Sequence, residues 1–79
     1  MTNEDKRKHR INLVYQSILA CDKKGVTADK KKLIAYFMVD YGLSRRKMLE
    51  YIKALVDSER VLEKEGELQV VKNGTKDKL

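Results

Sequence analysis

The amino-acid sequence predicts a mainly α domain that ends in a small β-hairpin. Three stretches repeat apolar residues at spacings of three and four, the period of a helix with one buried face. Gly25 and Gly42 stand at the breaks between these stretches. Past residue 60 the helical period stops, and two short aliphatic runs flank Lys64-Glu65-Gly66. Seventy-nine residues make one domain with a small core, close to the lower size at which a chain folds without disulfides or metal.

Residues 1–10 are polar and highly charged, and read as a basic N-terminal arm, or at most the loose first turn of a helix. The first helix is expected over residues 11–24, where Ile11, Val14, Tyr15, Ile18 and Leu19 share a face with Leu13 and Cys21 at its flanks. Lys23 and Lys24 suit the negative end of its dipole, and Gly25 stops it. Thr27 is the expected cap of the second helix, with Asp29 in its first turn. Leu33, Ile34, Phe37, Met38 and Tyr41 are its buried stripe, and Gly42 closes it. The third helix is expected over 45–58, capped by Ser44, with Met48, Leu49, Ile52, Leu55 and Val56 facing the core.

Two registers suit the hairpin. A three-residue loop with Gly66 left-handed pairs Glu63 with Glu67 and Leu62 with Leu68, setting Leu62, Leu68 and Val70 on one face. A two-residue Glu65-Gly66 turn instead pairs Leu62 with Gln69 and Glu63 with Leu68. The first is preferred for its coherent apolar face, although it opposes two glutamates. Residues 72–79 have no period and read as a flexible C-terminal tail, leaving 11–71 as the folded domain.

Composition narrows the chemistry. The single cysteine, Cys21, excludes an internal disulfide and a multi-cysteine zinc site, and lies in a helical apolar pattern that suits an unreactive thiol. The one histidine, His9, sits among lysines and arginines. The sequence shows no phosphate-binding glycine loop, no histidine beside a nucleophile and no metal-ligand spacing, so neither an enzyme nor a cofactor is expected. No apolar run approaches the roughly 18 residues that cross a bilayer, and a cytoplasmic protein with no membrane association is expected.

Charge points to a partner. The net charge of +6 divides unevenly: residues 1–53 carry 13 basic and 6 acidic side chains, whereas 57–71 carry 2 and 5. A basic body with an acidic strip suits an anionic polymer on one face, most simply a nucleic-acid backbone. The cations concentrate in Lys6-Arg7-Lys8-His9-Arg10, Lys30-Lys31-Lys32 and Arg45-Arg46-Lys47. The last two triplets open helices, where a cation opposes the dipole by about 0.3–1 kcal/mol at low salt.

The segment Gly42-Leu43-Ser44-Arg45-Arg46-Lys47-Met48, continued to Glu63 and followed by Gly66, resembles a winged helix-turn-helix domain. The resemblance covers residues 11–71 and is to small bacterial, archaeal and viral transcription regulators, whose Gly-Leu-Ser turn opens the recognition helix. The apolar positions four, eight and eleven beyond that serine are matched by Met48, Ile52 and Leu55. By position, the resemblance implies DNA-facing roles for Ser44, Arg45, Arg46, Lys47, Glu50, Tyr51 and Lys53. Arginine can hold guanine with two hydrogen bonds, so Arg45 and Arg46 are the candidates for base reading, with Lys47 and Lys53 on phosphates. Tyr51 has a competing role as a packing residue. Lys30, Lys31 and Lys32 are candidates for the DNA backbone, and Arg7, Lys8 and Arg10 for a backbone or minor groove.

Two departures from the family pattern matter. Glu59 stands where glycine is usual after the third helix, and the wing carries Glu63, Glu65 and Glu67 around a single Lys64. An acidic wing is repelled by phosphates and is expected to be structural or to meet a protein. The function expected is therefore a sequence-specific duplex-DNA-binding transcription regulator associated with the nucleoid, working as a homodimer through Leu13 of the first helix or through the wing. The alternative is a winged-helix protein-interaction module without specific DNA binding.

Overall fold

A computed structural model of the chain describes residues 2–71. Its elements are α1 (Asn3–Lys23), β1 (Ala28–Asp29), α2 (Lys30–Tyr41), α3 (Arg45–Asp57), β2 (Val61–Lys64) and β3 (Glu67–Val70). The strands form one antiparallel sheet in the order β1-β3-β2. The fold is thus mainly α with a β-hairpin, as the periodicity predicts. The tail expected at 72–79 lies outside the described residues.

The core is continuous and apolar. Val14 and Ile18 of α1, Leu33, Ile34 and Phe37 of α2, and Met48, Tyr51, Ile52 and Leu55 of α3 meet Ala28, Leu43, Val61 and Leu68. Burying a side chain of this size stabilises by about 1.5–3 kcal/mol each. Both α1 and α2 pack on α3, which is the hub of the domain.

Four expectations need correction. The arm is helical: α1 starts at Asn3, because Thr2 Oγ1 accepts the Asp5 amide at 3.1 Å and Glu4 and Asp5 occupy the positive end of the dipole. A helix located only by its apolar period begins too late, since residues 3–10 are all exposed. Second, Thr27 does not cap α2. Asp29 does so, accepting the Lys32 amide at 3.0 Å, while Ala28 and Asp29 form a short strand that pairs with β3. Third, Met38 and Tyr41 leave the buried stripe of α2. The Tyr41 ring meets Phe37 edge-on at 4.8 Å but keeps its outer side in solvent. Leu49 is likewise exposed at the edge of α3, where Tyr51 takes its place inside.

The fourth correction concerns the hairpin, which adopts the two-residue turn. Glu65 and Gly66 have φ of 53° and 79°, and the pairs are Val61 with Val70, Leu62 with Gln69, Glu63 with Leu68 and Lys64 with Glu67. Two consecutive left-handed residues give a connection whose twist matches the strands. A one-residue slip reverses every side chain, so Val61 and Leu68 point inward while Leu62 is 51% exposed. Both runs carry adjacent aliphatics, Val61-Leu62 and Val70-Val71, so either face could look apolar in sequence. This register also replaces a Glu63–Glu67 opposition with Lys64–Glu67.

Helix α3 ends where expected despite its departure from the family pattern. Ser58 is the cap, the Glu59 amide donates to Val56 O and the Arg60 amide to Leu55 O, both at 3.0 Å. This is a Schellman ending, and it holds Glu59 at φ 64°, where a side chain is strained. Replacing Glu59 with glycine should raise the melting temperature by about 2–8 °C in thermal circular dichroism. Relief of the strain, net of the extra chain entropy of glycine, is worth about 0.5–1 kcal/mol.

Candidate nucleic-acid interface

The start of α3 is built from the turn that precedes it. Gly42 is left-handed at φ 69°, and Leu43 is buried as the anchor of the turn. Ser44 accepts the Lys47 amide on Oγ at 3.1 Å and the Met48 amide on its carbonyl at 3.0 Å. The amides of Arg45 and Arg46 therefore remain at the helix mouth without an intrahelical acceptor. No acidic side chain occupies the first turn of either α2 or α3.

Beyond that mouth the cations divide between two sides of α3. Arg45, Arg46, Leu49, Glu50 and Lys53 surround one open depression of about 570 Å³. Lys47 turns the other way and joins Asn3, Lys6, Arg7 and Arg10 of α1 around a cavity of about 290 Å³. Helical packing creates this second cluster, because residues 3, 6, 7 and 10 share the α1 face that borders α3. Lys6 belongs to the basic run Lys6-Arg7-Lys8-His9-Arg10 already singled out in the sequence; Asn3 does not, and the spacing of 3, 6, 7 and 10 reveals it only once α1 is known to begin at Asn3.

Other candidates are placed differently. Tyr51 is 2% exposed and takes the packing alternative, although it also lines the α1–α3 cavity. It follows Met48 by three and precedes Ile52, so it falls inside the buried stripe. Lys8 lies apart with Ile11, Asn12, Tyr15, Leu55 and Arg60. Lys53 pairs with Asp57 at 3.2 Å in an exposed contact one turn along α3. Ser44 is occupied as a cap. Lys31 and Lys32 are exposed on α2.

Lys30 is committed to the hairpin. Its Nζ lies 2.8 Å from Glu63 Oε2, and its amide donates to the Gly66 carbonyl at 2.9 Å. Beside them, the Thr27 hydroxyl donates to Glu67 Oε1. The hairpin tip is thus drawn against the start of α2, and two of its three glutamates have partners within the fold. Glu65 alone stands at the exposed tip.

No protein-family model matches the chain, and neither a curated protein nor a solved structure matches it. Three helices with a small antiparallel hairpin, in the sheet order β1-β3-β2, are compatible with a winged helix. Among the described residues, no helix is long and apolar enough to cross a membrane, and no group of three or more His, Cys, Asp or Glu could hold a metal ion.

The ion pair between Lys30 and Glu63 is partly screened, with side chains 26% and 35% exposed. A double-mutant cycle with Lys30→Ala and Glu63→Ala, read by denaturant unfolding, should give a coupling of about 0.3–1 kcal/mol that shrinks as salt is raised.

Proposed function

We propose that the protein binds duplex DNA with sequence preference through the outer face of α3 and acts as a transcription regulator without enzymatic activity. The observation that carries the proposal is the pairing of two cationic surfaces along one helix. Arg45 and Arg46 face outward at a capped helix start, while Lys47 on the adjoining side is backed by Lys6, Arg7 and Arg10 of α1. A helix start in the major groove presents side chains to base edges, and cations beside it meet the phosphates that border the groove.

The roles follow from the chemistry of each group. Arg45 and Arg46 can each take guanine O6 and N7, and Leu49 between them can cover a thymine methyl. Lys47, Lys6, Arg7 and Arg10 neutralise backbone charge, as Lys31 and Lys32 can from α2. Lys30 is excluded from this set while it holds Glu63. The hairpin acts as a brace for α2 and keeps its carboxylates off the DNA.

A second reading, a winged-helix module that binds another protein, is favoured by the acidic tip at Glu65 and by the apolar side chains exposed on α2. Titration of duplex DNA across salt separates the two. Five to eight phosphate contacts predict a slope of log K against log salt of roughly −4.5 to −7. No measurable binding at low salt, roughly 50 mM, would reject the DNA reading.

Site selection from random duplexes assigns the readout. Arg45→Ala or Arg46→Ala should abolish preference at one base position at a cost of about 1–3 kcal/mol. Arg10→Ala should instead weaken all sequences alike and reduce the salt slope by about 1.

A further inference from the structure

Helix α1 carries a second cationic surface that the proposed DNA contact leaves unused. Lys8, Ile11, Asn12 and Tyr15 are spaced by three and four, so they share one face of α1. At about 100° per residue, that face lies about 140° around the helix from the one formed by residues 3, 6, 7 and 10. Together with Leu55 of α3 and Arg60, which precedes β2, these four residues line a depression of about 340 Å³.

Its lining combines an apolar floor with uncompensated charge. Leu55 is buried, and Ile11 and Tyr15 are half-buried against the same core. Lys8, Asn12 and Arg60 are exposed and supply the polar part. No acidic side chain lines the depression, and among the described residues neither Lys8 nor Arg60 takes part in an ion pair. The groove between α3 and the hairpin differs on this point: its cations, Lys30 and Lys53, are paired with Glu63 and Asp57 of the same lining. Arg60 is also fixed in place by its main chain. Its amide donates to Leu55 O and its carbonyl accepts the Val71 amide, both at 3.0 Å, so the residue is positioned before any ligand arrives.

We propose that this depression binds a small organic anion, an apolar body bearing one carboxylate or phosphate. Arg60 holds the anionic group through two parallel hydrogen bonds, and Lys8 adds a point charge. The apolar body covers Ile11, Leu55 and the Tyr15 ring, and the Asn12 amide donates to or accepts from a polar substituent. The volume lies at the low end of small-molecule sites, roughly 300–1,000 Å³, which suits a compact ring system. Lys8 lies apart from the cations proposed to contact DNA, so the site does not depend on that reading.

Amide-resolved NMR titration of the full chain with naphthoate, naphthyl phosphate, naphthylmethanol and acetate tests the site. At least one aromatic anion should bind with a Kd below about 1 mM at low salt and shift the amides of residues 8, 11, 12, 15, 55 and 60 most; the tighter of the two assigns the anionic group. Naphthylmethanol, which lacks the charge, and acetate, which lacks the apolar body, should each bind at least about tenfold more weakly. Lys8→Gln and Arg60→Gln should each weaken the aromatic anion by about threefold or more. Asn12→Glu, which sets a carboxylate in the lining, should abolish binding with an unchanged circular dichroism spectrum. Lys24→Gln removes the same charge at the far end of α1 and should leave the affinity unaltered. Absence of saturable binding by either aromatic anion up to about 5 mM would overturn the proposal. Shifts centred on other residues, or a loss with Lys24→Gln equal to that with Arg60→Gln, would overturn it too, since attraction to the net charge would then account for the binding.

Discussion

Because Glu65 and Gly66 both hold positive φ, β2 and β3 are joined by two residues, and the register that results governs the second half of the molecule. It sends Val61 and Leu68 inward to close the core beneath α3, and it leaves Leu62 outside. It also brings Glu63 to the core-facing side of β2, from which its carboxylate reaches Lys30. Leu68 and Glu67 pair in turn with Ala28 and Asp29, so β3 is the central strand. A hairpin slipped by one residue would have none of these contacts, and α2 would lose the carbonyl of Gly66 that receives its first amide.

The same register explains why the acidic hairpin and the basic helices coexist. Carboxylates that would repel a polyanion are turned toward Lys30 and Thr27, and the sheet uses them to position α2. The α3 cations have no such internal partners at their own helix start: its first turn holds no acid and its cap is a neutral serine. Three cations at the positive end of a dipole are locally unfavourable, and such conflicts concentrate where a surface serves a partner. Helix α2 also opens on three lysines, but Asp29 as its cap and Glu63 across from Lys30 offset part of that conflict.

The third helix was the most legible part of the sequence. Glycine, an apolar anchor, a serine cap and a strong period act within a few residues, and all four survive folding with the same bounds to within a residue. What remained hidden depended on distant partners or on weak signals. The two residues of β1 are too few to show a period, and they are a strand only because β3 lies beside them. The start of α1 was hidden by its uniformly polar composition, although Thr2 and Asp5 already had capping spacing. The hairpin register was degenerate, since adjacent aliphatics made both faces look buried. For the candidate site, Arg45, Arg46 and Lys47 could be read directly, but their division between two surfaces needed the position of α1. Tyr51 shows the limit from the other side: its place in the stripe is set by how α3 is rotated in the core, which the sequence constrains only to about one position.

Helix α1 begins about three turns before its first core residue, Val14, and residues 3–10 are all exposed. Its basic residues are thus mounted on a stiff spar rather than a tether. A tether samples many positions and gives up that freedom on contact, whereas a spar has fixed spacings before any partner arrives. Lys6, Arg7 and Arg10 are consequently held at fixed spacings beside Lys47. Their separation from Lys47 is set by how α1 lies on α3, so under the proposed DNA binding the surface would favour backbones whose curvature matches that spacing.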